Sequence, residues 1–249
     1  MTDYDDIPLT LEEAVPGDVL TVEPYGEAWL VHRYQTDVAE YPQNLSEVFA
    51  ERLQDPSSPM AGWMARLCEG LIPSPEDFVF FDLETTGLRF TPLFLVGAMV
   101  WENGQFAIHQ YFARDLSEEA AAIALYEQLA CDRKILVSFN GKSFDQPFIE
   151  SRGRELDLAI PRPILHIDLL HLGRRMWGRN LPNCKLQTLE RYILNRPRDE
   201  SDDIPSRLIP QTYKQYVQTG DARNIRNILH HNRLDLLTLA ELLIRLPAP

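Results

Sequence analysis

Three apolar runs that begin at residue 78 constrain the fold more than any other part of this chain. The runs are residues 78–84, 92–101 and 106–112. The pair Asn103-Gly104 separates the second run from the third, and such a pair between apolar runs is typical of a tight antiparallel hairpin. We therefore expect three consecutive antiparallel strands within one sheet.

Strand and helix patterns alternate in the rest of the chain. Asp115, with Glu118 three residues later, predicts a capping box for an alanine-rich helix that reaches Ala130. The other predicted strands are residues 134–139 and 163–168, and the other predicted helices lie near Gln146 and at residues 169–177, 185–194, 211–217 and 222–245. Antiparallel strands followed by strands that alternate with helices predict an α/β fold with a mixed sheet.

The first 77 residues differ from the remainder in charge. They contain 16 acidic and 3 basic residues, whereas the other 172 of the 249 residues contain 21 of each. Two strand-like runs at 19–22 and 28–34 and a helical pattern at 45–53 lie in this part, and the proline-containing stretches 54–60 and 72–77 are expected loops. We therefore predict a small acidic N-terminal β/α segment over residues 1–77 and a second domain over residues 78–249.

Several classes of protein are disfavoured by composition. No apolar stretch approaches the roughly 20 residues that cross a bilayer, and the first ten residues are acidic where a targeting peptide is basic. The three cysteines, Cys68, Cys131 and Cys184, form no CxxC pair, which argues against a disulfide framework or a zinc ribbon. We expect neither a membrane partner nor secretion, and a cytoplasmic location.

Two acidic residues stand in the first of the apolar runs. Asp82 and Glu84 are two apart, so the pleat of a strand directs both carboxylates to the same face. Buried like charges repel each other unless a cation joins them, and an oxygen-only ligand set favours Mg²⁺ or Mn²⁺ over zinc. The alternative is an exposed Asp-x-Glu at the end of a strand.

Further acidic residues follow in two later blocks. Asp145 comes just after the fourth predicted strand, where the chain enters a helix. His231 and Asp235 are four residues apart near the C-terminus and therefore share one face of the predicted last helix.

Three sequence blocks, taken together and in order, carry a family resemblance. They are DLETTG at 82–87, Asn-x-x-x-Phe-Asp-x-Pro-Phe-Ile at 140–149, and His-Asn-x-x-Asp at 231–235. This pattern resembles the DEDD superfamily of 3'-5' exonucleases, and within it the YprB-like ribonuclease H-like proteins, over residues 78–246. The resemblance implies a ribonuclease H-like mixed sheet, with three antiparallel and then two parallel strands and helices on both faces.

The resemblance also implies the chemistry. It makes residues 78–249 an exonuclease domain that holds two Mg²⁺ or Mn²⁺ ions and hydrolyses phosphodiester bonds at the 3' end of single-stranded DNA or RNA. By the same resemblance, Asp82 would bridge both ions, Glu84 and Asp235 would complete one site, and Asp145 would serve the other, partly through water.

The general base departs from the family pattern. One branch of the superfamily has Tyr four residues before the last Asp, and another has His five residues before it, whereas this chain has His at both positions, His231 and His230. The spacing from Asn140 to Asp145 resembles the tyrosine branch and favours His231, with His230 as the alternative. An imidazole, whose pKa is ordinarily near 6.5, is a suitable base at neutral pH.

Other residues near these blocks are further candidates, and two of them, Asp168 and Lys142, have two interpretations each. Asp168 is either a group that supports the metal ligands or the cap at the end of a strand. Lys142 either meets a substrate phosphate or is a solvated loop lysine. Thr85 and Thr86 lie where backbone N–H groups would approach a terminal nucleotide, and Asn140 is a further candidate for substrate binding.

A basic track covers residues 171–198. Its bases are Arg174, Arg175, Arg179, Lys185, Arg191, Arg196 and Arg198, and Glu190 is its one acidic residue. Arg174 and Arg175 are candidate substrate-binding residues, and the alternative is a solvated helical surface. The acidic N-terminal segment either screens this track or is a solubilising packing element. A non-cleaving nucleic-acid-binding module and a structure-specific endonuclease remain alternatives to the exonuclease.

Overall fold

A mixed sheet of seven strands organises the protein, described here from a computed structural model over residues 8–69, 73–87, 91–198 and 203–249. The strands are β1 (Asp18–Val22), β2 (Gly26–Tyr34), β3 (Phe78–Thr85), β4 (Leu93–Glu102), β5 (Gln105–Phe112), β6 (Ile135–Ser138) and β7 (Leu165–Asp168). Their order is β1-β2-β5-β4-β3-β6-β7, in which β6 and β7 run parallel to β3 and the other pairings are antiparallel.

Helices cover both faces of the sheet. They are α1 (Leu11–Ala14), α2 (Leu45–Gln54), α3 (Pro59–Leu67), α4 (Glu119–Ala130), α5 (Asp145–Glu155), α6 (Leu169–Trp177), α7 (Leu186–Tyr192), α8 (Ile209–Thr219) and α9 (Ile225–Ile244). Phe78 and Phe80 of β3 pack with α2, α3 and α9, whereas Val79 and Phe81 pack with α4 on the other face. None of the helices in the described ranges is both long and apolar enough to cross a membrane.

The predicted fold class is confirmed. The antiparallel strands β3, β4 and β5 are followed by the parallel β6 and β7, and positive φ angles at Asn103 (51°) and Gly104 (81°) form the expected turn between β4 and β5. Positive φ at both central residues fits the twist of an antiparallel hairpin. The N-terminal strands continue the same sheet, because β2 pairs with β5, while the division of the chain at residue 77 stays a prediction.

Two local expectations are wrong. The expected loop at 54–60 already contains the start of α3, because the Ser58 hydroxyl caps the helix by accepting from Ala61 N. Asp115 accepts from Ser117 N and Glu118 accepts from Arg114 N, so a 3-10 turn replaces the expected capping box and α4 begins at Glu119. Residue 72, in the other expected loop, lies outside the described residues.

The last helix, α9, crosses β3, β4 and β5 at close range. Gly97 of β4 lies opposite Asp82 of β3 and directly beneath Asn232 of α9. A Cβ atom built on Gly97 would lie 2.2 Å from Asn232 Oδ1, a distance that real contacts do not reach. Glycine at this position therefore sets how near the helix comes to the sheet.

We expect Gly97→Ala to lower the free energy of unfolding by about 1–3 kcal/mol, because the added methyl overpacks the interface between α9 and the sheet. In an Asn232→Ala background the methyl has room, so the same substitution should lower the free energy of unfolding by a measurably smaller amount. Urea denaturation of the four proteins in this cycle gives both values. Equal costs in the two backgrounds would contradict the packing argument.

Candidate active site

Two carboxylates of β3 lie at the bottom of a pocket of about 580 Å³. Asp82 and Glu84 both point to the α9 face of the sheet, as their spacing predicts, and both are partly exposed in the pocket. The polar residues that line the pocket are Asp82, Glu84, Asn140, Asp145, Arg174, Asn183, Lys185, Ser206, His231 and Asp235. All four acids of the three sequence blocks are therefore brought together.

Asp145 reaches the pocket from the first residue of α5. The chain turns sharply after β6 to place it there: Asn140 has a φ of 64°, and a Cβ on Gly141 would lie 2.3 Å from Ser138 Oγ. A carboxylate in the first turn of a helix is also stabilised by the helix dipole. Asp145 is buried, and its pocket position follows from the turn that precedes it.

Asp168 holds this turn in place. Its buried carboxylate accepts from Asn140 N at 2.8 Å and from Lys142 N at 3.1 Å, and it caps α6 by accepting from Leu170 N at 3.0 Å. Asp168 does not line the pocket. These contacts fit both interpretations of this residue, because it caps the end of the strand and also fixes the loop that carries Asp145.

Asp235 reaches the pocket from α9 and touches a buried arginine. The guanidinium of Arg198 forms an ion pair with Asp235 and, from Nη2, a 2.5 Å hydrogen bond to Glu190 Oε1. Glu190 is buried and also accepts from Thr238 Oγ1 at 2.6 Å. Arg198 therefore links α7 to α9 beneath the pocket, although the sequence grouped it with the surface bases.

The two adjacent histidines have different surroundings. His231 is buried and lines the pocket: its Nδ1 is 2.5 Å from Asp203 Oδ1, and its Nε2 is 3.4 Å from Ser206 Oγ and 3.8 Å from Asp235 Oδ2. His230 Nε2 instead lies 3.6 Å from Glu40 Oε1, outside this pocket.

These surroundings move the two imidazole pKa values in opposite directions. Burial acts to lower the pKa of His231, but Asp235 and the hydrogen bond to Asp203 outweigh it, so this pKa is raised. Burial lowers the pKa of His230.

Burial and neighbouring carboxylates raise the pKa values of Asp82, Glu84 and Asp145. Burial, followed by Asp235 and Glu84, raises the pKa of Asp82 well above its ordinary value, and burial with Asp235 and Asp145 does the same for Glu84. Burial raises the pKa of Asp145 to about 7, against the opposing effect of backbone N–H groups. An oxygen-only ligand set of crowded carboxylates fits a hard divalent cation such as Mg²⁺ or Mn²⁺.

Two buried amides, for which the sequence patterns predicted no role, orient Asp82. Asn232 Nδ2 donates to Asp82 Oδ2 at 2.8 Å, and Gln110 Nε2 donates to Asn232 Oδ1 at 2.8 Å and to Leu229 O at 2.7 Å. Gln110 and Asn232 are fully buried. A lone glutamine within the apolar run of β5 was the signal that could have indicated this contact.

Three of the candidate substrate-binding residues have other contacts. The hydroxyls of Thr85 and Thr86 donate to Gly87 O at 2.6 Å and Pro92 O at 2.9 Å, and neither residue lines the pocket. The guanidinium carbon of Arg175 lies 5.9 Å from the centre of the Trp63 ring, away from the pocket.

The basic track divides in the folded protein. Arg174, Lys185 and Asn140 are exposed and line the pocket, while Lys142 is exposed without lining it. Arg196 pairs with Glu241 at 3.2 Å, and Arg198 is enclosed by acids. The expectation of one continuous surface track is therefore wrong at Arg196 and Arg198.

Comparison with known proteins agrees with the fold. A family model described as the RNase H superfamily matches residues 79–246. The Bacillus subtilis (strain 168) protein named "Uncharacterized protein YprB" is 33% identical over 175 residues, which cover 67% of this chain and 41% of that protein. The match thus spans less than half of the relative's length.

A solved structure shares the fold. The family B DNA polymerase from the hyperthermophilic archaeon Pyrobaculum calidifontis matches with a TM-score of 0.51 and 16% sequence identity, over 68% of this chain and 24% of that chain. At this identity the similarity concerns the fold alone. Because the family match spans β3 to α9 and includes all four pocket carboxylates, the chain belongs to the RNase H superfamily, as a YprB-like member.

Proposed function

We propose that this protein is a metal-dependent 3'-5' exonuclease of the DEDD type, which hydrolyses phosphodiester bonds at the 3' end of single-stranded nucleic acid. The observation that carries the proposal is the convergence of Asp82, Glu84, Asp145 and Asp235 on one pocket of a ribonuclease H-like fold. Such a pocket gathers enough negative charge to hold divalent cations beside a phosphodiester.

Asp82, Glu84, Asp145 and Asp235 are the proposed ligands of two Mg²⁺ or Mn²⁺ ions. When bound, the ions would polarise the attacking water and stabilise the charge that develops on the leaving 3' oxygen. The raised pKa values of the first three carboxylates support this assignment, since a bound cation would relieve their repulsion. Asn232 keeps one oxygen of Asp82 fixed within this set.

His231 is the proposed general base. In the tautomer whose Nδ1 donates to Asp203, the other ring nitrogen is an acceptor on the pocket side and would take a proton from the attacking water. His230, which faces Glu40, has no such access to the pocket.

The rim of the pocket supports a nucleic-acid substrate. Arg174 and Lys185 supply positive charge at the opening, and Asn140 adds an exposed amide. Charged and polar groups of this kind bind the phosphates and sugars of a single strand without reading its sequence. The three cysteines are free, in keeping with the proposed cytoplasmic location.

One contact favours a second candidate function. Arg198 already provides a cation to Asp235, so a non-cleaving module that binds nucleic acid with the same pocket is the alternative. Metal-supported hydrolysis excludes this alternative.

The proposed function predicts that the protein shortens 5'-labelled single-stranded DNA or RNA from the 3' end with Mg²⁺ or Mn²⁺ and not with EDTA. Asp82→Asn should reduce the rate more than about 100-fold. Removing a group that only supports a metal ligand already lowers metal affinity or activity about 10–100-fold, and Asp82 is a proposed ligand itself. Asp18→Asn, the same change of charge on the exposed edge strand β1, is the matched control and should retain the wild-type rate. Gel electrophoresis of time courses measures all three proteins.

Two results would overturn this proposal. Cleavage of circular single-stranded DNA would indicate an endonuclease, since an exonuclease needs an end. Tight binding of labelled strands without any metal-supported cleavage would favour the non-cleaving module.

Charge repulsion in the pocket predicts a stability effect of metal removal. Because the pKa of Asp145 is raised to about 7, its charge opposes folding at pH 8, where the carboxylate is ionised. With EDTA at pH 8, Asp145→Asn should therefore melt at a higher temperature than the wild type. Mg²⁺ should raise the Tm of the wild type and have a smaller effect on the variant, as followed by calorimetry. Equal responses of both proteins to Mg²⁺ would argue against Asp145 as a ligand.

The two histidines provide a matched pair for testing the base. His231→Gln should lower kcat about 100-fold or more, the usual contribution of a general base. His230→Gln should stay within about twofold of wild type, since its ring faces Glu40. Single-turnover rates at saturating Mg²⁺ separate this effect from metal affinity, and the opposite order of the two variants would assign the role to His230.

A further inference from the structure

A second cluster of metal-binding side chains lies on the sheet face opposite to the pocket. It consists of His32 of β2, His109 of β5 and Glu102 at the end of β4, three strands that are neighbours in the sheet. His32 and His109 are directly opposite each other in the β2–β5 register. Gln110, the residue after His109, points to the other face and contacts Asn232 there, so the cluster is separated from the pocket by the sheet itself.

The three side chains converge on a small volume. His109 Nε2 lies 3.0 Å from Glu102 Oε1, and His32 Nε2 lies 3.8 Å from Glu102 Oε2. One ligand atom from each residue can be chosen so that all lie within 4.8 Å of one another. Ligands of a tetrahedral ion with bonds of about 2.1 Å are about 3.4 Å apart, so modest side-chain rotations would suffice to enclose an ion.

The charges of the cluster leave room for a cation. Within the described ranges, the ion-pair partners of Glu102 are these two histidines. Burial lowers the pKa of His109 against the opposing effect of Glu102. Because no lysine or arginine of the described ranges pairs with the half-buried Glu102 carboxylate, a bound cation would supply the positive charge that this carboxylate lacks.

We propose that His32, His109 and Glu102 form a second metal site, which takes a transition-metal ion of the Zn²⁺ class. Imidazole ligands select such ions over the Mg²⁺ or Mn²⁺ of an oxygen-only site. The side chains of His32 and Glu102 are 32% and 30% exposed, which leaves the fourth position to water and gives the ion a path of entry.

The expected effect of a bound ion is on stability. Its ligands come from β2 of the acidic N-terminal segment and from the β4–β5 hairpin, so a bound ion ties the two parts of the sheet together. Binding to the folded state alone raises stability with ion concentration. The inference does not depend on the proposed nuclease activity, because none of its three ligands lines the carboxylate pocket.

The test is a calorimetric titration of the 249-residue chain with Zn²⁺ in the presence of saturating Mg²⁺. The wild type should bind one Zn²⁺ that His32→Gln, His109→Gln and Glu102→Gln each weaken at least tenfold. His171→Gln is the matched control, because its side chain is 55% exposed and lies outside the cluster, and it should bind Zn²⁺ as the wild type does. Zn²⁺ should also raise the Tm of the wild type and of His171→Gln but of none of the cluster variants.

An Asp82→Asn arm separates this site from the carboxylate pocket. Zn²⁺ binding that persists in Asp82→Asn and disappears in His32→Gln supports the proposal, whatever the outcome of the cleavage assays. Zn²⁺ binding that is unchanged in His32→Gln and His109→Gln, or lost in Asp82→Asn alone, overturns it. Circular dichroism without metal shows whether His109→Gln folds. If it does not, His32→Gln still decides the test, because the His32 side chain is partly exposed.

Discussion

The crowding of four carboxylates in one pocket is the constraint on which the arrangement of this protein depends. Asp82 and Glu84 come from β3, Asp145 from the start of α5 and Asp235 from α9, so the sheet and helices on both of its faces must all be in place. Burial and neighbouring carboxylates raise the pKa values of Asp82 and Glu84, and specific hydrogen bonds and one arginine stabilise the folded arrangement. The proposed metal ions would remove a repulsion that the protein alone only reduces.

Arg198 shows how the surroundings of the pocket reduce that repulsion. It contacts Asp235 of α9, Glu190 of α7 and Asp203, and Asp203 in turn contacts His231. Helices α7 and α9 and the segment at Asp203 are thereby connected in one ionic network, which reaches the pocket through His231 and Asp235. A change at any member of the network should therefore affect the proposed base and a proposed metal ligand together, since partners in one network are coupled.

The close approach of α9 to the sheet is the other part of this arrangement. Gly97 leaves the space, Asn232 fills it, and Gln110 fixes the orientation of the amide that holds Asp82. The block His-Asn-x-x-Asp thus contains both a proposed catalytic pair and the residue that docks the helix. The spacing of His231 and Asp235 was readable from helical periodicity, but the role of the asparagine depends on a glycine more than a hundred residues away.

The sequence by itself determined the order of strands and helices, the fold class and the four acids, because periodicity, turn pairs and the three blocks are local signals. Tertiary structure decided the remainder. It joined the N-terminal strands to the sheet through β2 and β5, buried Arg198 among acids, and formed the cluster of His32, Glu102 and His109. Each of these features depends on contacts between segments that are distant in sequence. The number of charges in a segment does not show which side chains meet, because electrostatic energy depends on distance and burial in the folded protein.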